Sequence, residues 1–404
     1  MFHPPSPLVS SQRGRTTRRR SIRGPFGVGL LAALLATSVL ASCTDDPQPS
    51  ATPTSSGKAA TVSCAPKTVP PAITATDVDG ADTSGTTVTL VTHDSFATTK
   101  GIFDSFTEQT GIKVKLLQSG DAGTLVSQSI LTAGKPVADV LYGIDNTFLC
   151  RGARAGLFVP YAPAALADVA KANQLEPDHL VTPIDVGDVC LNYAKKAYPD
   201  GTPAPADLAD LTKKAYAGQF VTENPETSSP GLAFLLATIA RFGPDGWQDY
   251  WKKLKANGVK VDDGWESAYE GSGSFGSGTG KRPIVTSYAT SPVADVVYAD
   301  PPRTTTAVAV VPDSCFRQVE FAGVLRGTKH EAAAAQLVDF LLSPTFQQDI
   351  PLNMFVEPAN TKAKVPAEFE KYRTPITHPL TLTPAEIEAG RDRWTEAWNR
   401  IVTQ

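Results

Sequence analysis

Between Thr87 and Ile144 the chain alternates short β-branched runs with segments of helical period, and that order admits few folds. Thr87-Val88-Thr89-Leu90-Val91-Thr92 reads as a strand, and Ile112-Lys113-Val114-Lys115-Leu116-Leu117 alternates like a second. Ala138 to Ile144 reads as a third. Between them, Asp94-Ser95 offers N-cap chemistry to a helix with Ile102, Phe103 and Phe106 facing inward and a stop at Gly111. A second helix is expected from about Thr124 to Ala133, and the chain from Asn146 onward is helical again. This repetition predicts an α/β lobe with a largely parallel sheet.

Beyond Pro183 the register changes. Ile184–Tyr193 reads as a strand leading into a new region, with helices around Leu232–Arg241 and Gly246–Lys255. Phe321–Leu325 is again a strand, followed by a helix over Glu331–Leu342. Two such crossings predict two lobes joined by a hinge. The tail from Pro384 to Thr403 is amphipathic, and Thr383-Pro384-Ala385-Glu386 caps it with proline in the first turn. Ligands of open α/β sheets gather outside the carboxyl ends of the strands. Those ends carry His93-Asp94, Gly120-Asp121 and Asp145-Asn146. Each pair also suits a helix cap, yet three acids at successive strand ends would converge on one crevice.

The compartment is written ahead of the strands. Arg13, Arg15, Arg18, Arg19, Arg20 and Arg23 precede an apolar run from Phe26 to Leu40, and Leu40-Ala41-Ser42-Cys43 follows. A basic stretch, an apolar run and small residues make residues 1–42 an export signal. The apolar run, roughly 15 residues, is short of the roughly 20 that a spanning helix needs. Leu-Ala-Ser-Cys resembles a bacterial lipobox, so Cys43 is expected to carry lipid as the new N-terminus. Arg19-Arg20 also resembles a twin-arginine signal, and the export route stays open. Residues 43–85 are mostly Pro, Thr, Ser, Ala and Asp, a composition expected to form a flexible tether. Cys64, Cys150, Cys190 and Cys315 remain as an even set in an oxidising compartment, which predicts two disulfides of open pairing.

Removing a leader with six arginines and no acid takes the net charge from −4 to −10. That disfavours nucleic acid as a partner. Gly271–Gly280 is a Ser/Gly run, but Phe275 and Arg282 stand where a phosphate-binding loop needs glycine and a hydroxyl, so it reads as a surface loop. The five histidines are scattered and no G-x-S-x-G occurs, so no catalytic or metal constellation is visible. Two aromatics stand out: Trp265, beside Asp263, Glu266 and Ser267, and Tyr288, within Ser287-Tyr288-Ala289-Thr290-Ser291-Pro292. Core aromatics usually sit among aliphatics. Rings beside carboxylates suit a flat organic cation, which each ring face attracts by about 0.5–2 kcal/mol.

Thr92-His93-Asp94-Ser95-Phe96, Gly143-Ile144-Asp145-Asn146, Thr227 to Leu232, Gly264 to Tyr269 and Ser287 to Pro292 occur in this order. Pro344 to Gln348, Pro366 to Lys371 and Thr383 to Glu386 follow. The ordered set resembles the thiamine-binding solute-binding proteins of ABC importers, over nearly all of residues 88–404. The resemblance implies a two-lobed α/β flytrap of the periplasmic-binding-protein kind: lobe 1 over 86–184, lobe 2 over 185–315, and a return to lobe 1 over 316–404, whose last helix packs on lobe 2. It implies ligand contacts at Asp121, Ala122, Ser228, Ser229, Trp265 and Tyr288, Ala289, Thr290, Ser291 and Pro292. Asp145, His93, Asp94 and Phe355 join that expected set. Trp265 and Tyr288 would face the thiamine rings, Asp121 with Asp145 would meet the positive charge or the amine, and Ser228 and Ser229 the hydroxyethyl or phosphate end. The family's tyrosine before Asp-Ser-Phe is His93 here, a second tyrosine aligns with Ala294, and a tryptophan falls on Met354 or Phe355. The expected protein is a lipid-anchored monomer on the outer face of the cytoplasmic membrane. It delivers thiamine or its phosphates to a permease and its ATPase, without cofactor, metal or catalysis. The alternatives are a receptor for another small cation such as a polyamine, or a secreted hydrolase.

Overall fold

The computed structural model describes residues 64–403. Lobe 1 contains α1 (Ala75–Asp79), β1 (Thr87–Thr92), α2 (Ile102–Thr110), β2 (Lys113–Gln118), α3 (Ala122–Leu131), β3 (Val140–Asp145), α4 (Leu149–Arg154) and β4 (Phe158–Val159). Strand β5 (Thr182–Ala194) crosses to lobe 2, which holds β6 (Phe220–Glu223), α5 (Ser229–Ala256), β7 (Lys260–Asp262), α6 (Trp265–Tyr269), β8 (Ile284–Tyr288) and α7 (Ser291–Val297). Strand β9 (Val308–Leu325) crosses back. After it come α8 (Glu331–Leu342), α9 (Pro344–Gln347), α10 (Ile350–Asn353), β10 (Glu357–Pro358), α11 (Ala367–Tyr372) and α12 (Pro384–Val402).

One mixed sheet runs through both lobes in the order β2-β1-β3-β9-β5-β8-β6-β7. β1 pairs in parallel with β2 and β3, as crossover helices require. All of β3 is buried, which is why it reads as an unbroken apolar run rather than an alternation. The two crossings are one antiparallel ladder, from Thr182 opposite Ala322 to Ala194 opposite Val308. Its register shifts between Pro183 and Asp185 and again between Val189 and Leu191. From Val189 onward β5 also pairs with β8, Val189 lying opposite Tyr288.

Two disulfides staple this frame. Cys190–Cys315 joins β5 to β9 at the second shift, and Cys64–Cys150 ties the first described residue to α4. The tether expected to reach residue 85 is therefore shorter. Ile73 and Val78 are buried with the core around α8, and the Ile73 amide donates to the Pro160 carbonyl at 2.9 Å. Two apolar residues and a cross-link suffice to fold a segment whose composition is otherwise polar. Residues 1–42 and Cys43 lie outside the described residues.

One further local expectation needed correction, and two others held with added detail. Asp94-Ser95 caps nothing: α2 starts after Gly101, in the left-handed region at φ 84°. The two helices expected over 232–241 and 246–255 are both present within the span of α5, broken where Gly243 leaves helical geometry at φ 74° before Pro244. Gly271–Gly280 is a loop with Ser272, Gly273, Ser277 and Thr279 exposed, as expected, and it is pinned by the fully buried Phe275, which puts Gly276, Ser277 and Thr279 on the cleft.

Helix α12 opens with the reciprocal Thr383/Glu386 cap and packs on α5 of lobe 2 while touching α4 of lobe 1. Its anchor is Trp398, buried edge-on against Trp251 at 5.5 Å. Trp251 in turn donates from Nε1 to Thr238 Oγ1 at 3.0 Å. Trp398→Ala should cost about 3–5 kcal/mol by denaturant titration. A loss below about 1 kcal/mol would mean that α12 is not held by this joint.

Candidate functional site

A cavity of about 710 Å3 lies between the lobes. Its floor is the β5–β9 ladder. Side chains alternate along a strand, so Asp185 and Gly187 share one face of β5, and Gln318 and Glu320 share the matching face of β9. Asp185 lies opposite Glu320, and Gly187 opposite Gln318. Glycine is needed there, because a Cβ on Gly187 would come within 2.9 Å of the Tyr288 ring. Tyr288, at the end of β8, thus lies over bare backbone and forms one wall.

Trp265 forms another. It opens α6, its ring stacks on Tyr269 at 4.9 Å, and Nε1 donates to Ser287 Oγ at 2.9 Å. The Trp265 amide donates to Asp121 Oδ2 at 3.0 Å. Asp121 caps α3: its Oδ1 accepts from the amides of Ala122 at 2.6 Å and Ser229 at 3.4 Å. One carboxylate of lobe 1 therefore receives the first amides of two lobe 2 helices, where helix dipoles favour negative charge. Burial lifts Asp121 above the ordinary carboxylate range, opposed by hydrogen bonds from Ser228, Trp265 and Ala122.

His93, Asp94, Asp121, Ala122, Ser229, Trp265, Tyr288, Ser291 and Phe355 line the cavity. Five other expected residues stand behind the wall. Asp145 is wholly buried and accepts from Ser229 Oγ and from Thr147 Oγ1 at 2.6 Å, so it cannot meet a ligand charge directly. Ser228 Oγ faces the Gly231 amide as the cap of α5. Ala289 packs against Cys190 and Cys315, Pro292 is buried in the first turn of α7, and the Thr290 hydroxyl donates to the Phe355 carbonyl. Phe355 has φ 54°, a conformation that costs a non-glycine residue about 1 kcal/mol or more, and it sits at the cavity.

Glu266, read beside Trp265, lines the cavity, and so do Asp185, Gln318, Glu320, Tyr269 and Tyr298, which sequence reading did not place among the contacts. The signal was present: Gln318-Val319-Glu320-Phe321 alternates polar with apolar inside a strand taken to begin only at Phe321. Burial lowers the His93 imidazole, but Glu320 at 3.5 Å, with Asp121 and Asp94, holds it above its ordinary value. Eight carboxylates line the cavity, against His93 and Arg303, and Arg303 is paired with Asp295 at 2.6 Å. Such a cleft attracts cations. Among the described residues no group of three or more His, Cys, Asp or Glu is arranged to hold a metal ion.

Two α/β lobes on a shared crossing ladder, with an enclosed cleft between, define a two-lobed solute-binding protein. The model of the bacterial extracellular solute-binding protein family matches residues 135–377. The thiamine-binding periplasmic protein of Escherichia coli (strain K12) is 30% identical over 321 residues, which cover 78% of this chain and 94% of that one. That of Brucella suis is 27% identical, covering 77% and 91%. Among solved structures, a periplasmic thiamin binding protein aligns with a TM-score of 0.69 at 29% identity, over 79% of this chain and 96% of the other. Iron-bound HitA from Pseudomonas aeruginosa aligns with a TM-score of 0.62 at 25% identity, over 78% and 99%. The chain belongs to the bacterial extracellular solute-binding protein family.

Burial pushes Asp145 up to about 6, against the bonds from Ser229 and Thr147. Between the ordinary carboxylate value and about 6 the folded protein holds the extra proton. This group's contribution to stability therefore falls as pH rises through that window and levels off above it, by about 3 kcal/mol in all. Denaturant titrations of wild type and Asp145→Asn at about pH 4, 5.5 and 7 should show the two stability profiles diverging by that amount. Parallel profiles would remove Asp145 from the account.

Proposed function

We propose that this protein is the solute-binding component of an ABC importer, that it binds thiamine or thiamine phosphates between its lobes, and that it performs no chemistry. The observation that carries this reading is the acidic cleft walled by Trp265 and Tyr288, in a chain 30% identical to a thiamine-binding periplasmic protein. Trp265, backed by Tyr269, and Tyr288, laid over Gly187, offer ring faces to the flat cationic ligand. Asp121 supplies negative potential while its oxygens hold the lobes together, and Ser229 and Ser291 supply hydroxyls at the wall. Ligand sealed between the lobes favours the closed form, which the permease would recognise. Lipid on Cys43 would keep the exported protein at the outer face of the cytoplasmic membrane, a point outside the described residues. Cys43→Ser should shift the protein from the membrane to the soluble fraction after cell lysis. Retention at the membrane would refute the anchor.

Calorimetric titration with thiamine, its mono- and diphosphate and a polyamine panel tests the ligand. Nanomolar affinity corresponds to about −12 kcal/mol, so two ring contacts of about 0.5–2 kcal/mol each are a minor share. Trp265→Ala should nonetheless weaken thiamine binding about 10-fold or more, since it removes a wall and the joint to Ser287. Preference for spermidine over every form of thiamine would move the assignment to a polyamine receptor.

A further inference from the structure

Two basic side chains line the cavity, and they are held differently. Arg303 is locked to Asp295 at 2.6 Å. His93 Nε2 stands 3.5 Å from Glu320 Oε1, longer than the roughly 2.7–2.9 Å of a charged hydrogen bond. The place of the imidazole is nevertheless built. The His93 carbonyl accepts from the Phe96 amide at 3.4 Å and from Thr92 Oγ1 at 3.0 Å. Its ring lies against bare backbone of β3 at Gly143, where φ is 112° and a Cβ would come within 2.6 Å of His93 Cδ2. The register between β3 and β9 shifts at this same glycine. Phe96 and Tyr142 flank the ring, at 6.4 and 6.1 Å between centroids. The imidazole is thus seated in a fitted slot, with 9% of the residue exposed, on the cavity.

The groups around that slot are mostly acids. Glu320 faces it from β9, Asp121 from the start of α3, Asp94 from the next position in the chain and Glu266 from α6, with the Tyr142 phenol on β3. Asp185 stands opposite Glu320 across the ladder. Histidine ordinarily titrates near neutrality. Burial acts to lower this one, but Glu320, Asp121 and Asp94 outweigh it, so the ring keeps its proton to higher pH than a free histidine. A fixed cation in a cleft that collects cations opposes its own cargo. Titration removes the conflict, because an imidazole that gives up its proton ends the repulsion and leaves the Glu320 charge to the ligand.

We propose that His93 is the exchangeable cation of the cleft: its protonated ring neutralises Glu320 until a cationic ligand enters, and the ligand displaces the proton rather than the side chain. One N–H bond of the imidazolium breaks, its electron pair stays on the ring nitrogen, and the proton passes to the buffer. Binding that expels a proton weakens as pH falls through the histidine range. His93 stands where the resembled family carries a tyrosine, which is neutral throughout that range. The exchange therefore belongs to this chain's own residue rather than to the family pattern. It rests on the reading of the cleft as a cation site, and it applies to thiamine and to a polyamine alike.

Calorimetric titration of the full mature protein with thiamine at about pH 6.5, in PIPES and in Bis-Tris, counts the protons released, because the two buffers differ in ionisation enthalpy. Wild type should release about 0.5 to 1 proton per thiamine, and its affinity should fall about 5- to 10-fold from about pH 8 to about pH 6. His93→Gln keeps a polar group toward Glu320, and His93→Phe keeps the ring contacts. Each should release less than about 0.2 proton and hold its affinity within about 2-fold over the same range. Release that persists undiminished in both variants overturns the exchange and assigns the protons to Asp145 or Asp185, with the thiamine reading left standing. Wild type also carries a readout that does not depend on how a variant folds. Residues 43–404 contain four histidines, and the one whose ring is close to Phe96 and Tyr142 by proton NMR is His93. Its titration midpoint should drop by about 1 pH unit on saturation with thiamine, the same tenfold effect seen from the other side. Equal midpoints with and without thiamine overturn the exchange. If thiamine does not bind, the thiamine reading falls and spermidine becomes the probe. Proton release that His93→Gln removes would sustain the exchange, and binding without release, or no binding, would overturn it.

Discussion

The antiparallel ladder between β5 and β9 is the interaction on which the rest of the molecule depends. It is the only part of the sheet that belongs to both lobes among the described residues. Its two faces do different work because side chains alternate. One face presents Asp185, Gly187, Gln318 and Glu320 to the cleft. The other is clamped by Arg317, whose guanidinium meets Asp188 through two bonds, at 2.7 and 3.2 Å. Cys190–Cys315 fixes the ladder covalently where its register shifts. The crossing is thus both the joint between the lobes and the floor of the binding site. A movement of one lobe on the other is felt at the floor acids.

Above the floor, polar groups join the lobes beside an apolar core that is continuous from Leu125 and Phe148 to Leu232 and Trp251. Asp121 gathers amides from α3, α5 and α6, and the Thr124 amide donates to the Thr227 carbonyl at 3.2 Å. Behind these, Asp145 fixes Ser229, and Ser229 Oγ receives Gln318 Nε2. A chain of hydrogen bonds therefore runs from strand β3 through the start of α5 to the floor. Such bonds are individually modest, with net worth of about 1 kcal/mol, and costly only when left unmade. That is the balance a cleft needs if it is to open and reclose around a ligand.

The parts legible in the sequence were those with a local signature. The β1–β3 alternation, the Thr383 cap and the acids after β1 and β2 could be read residue by residue, because period and capping are short-range facts. Asp145 was legible as an acid at a strand end, but not as one turned inward, since its partner Ser229 is 84 residues away. Asp185 and Glu320 meet only through strand register, which no window of sequence contains. Residues 64–85 were misread for a related reason: composition counts few apolar residues, whereas folding there needed only Ile73, Val78 and one cross-link. The Ser/Gly run around Phe275 was legible as a loop, but not the burial of its one ring, which pins the loop to the cleft.

The departures from the family pattern can now be weighed against geometry. Ala294 lines the cavity without a ring, but Tyr298, four residues on and so on the same side of α7, lines it too. Tyr298 packs edge-on against Phe355 at 5.4 Å, and its hydroxyl donates to the Leu352 carbonyl at 3.2 Å. Aromatic surface missing at one position is thus present one turn further on, where it bridges lobe 2 to α10 and to Phe355 just after it. Phe355 meets it from a strained backbone that Thr290 pins in place. His93 is a different kind of replacement. Its ring contacts Phe96 and Tyr142 as an aromatic would, yet it adds a titrating cation beside Glu320. In a cleft that collects cations this is the one substitution that sets the protein's own positive charge against the ligand's. It couples what the site holds to the protonation of its floor.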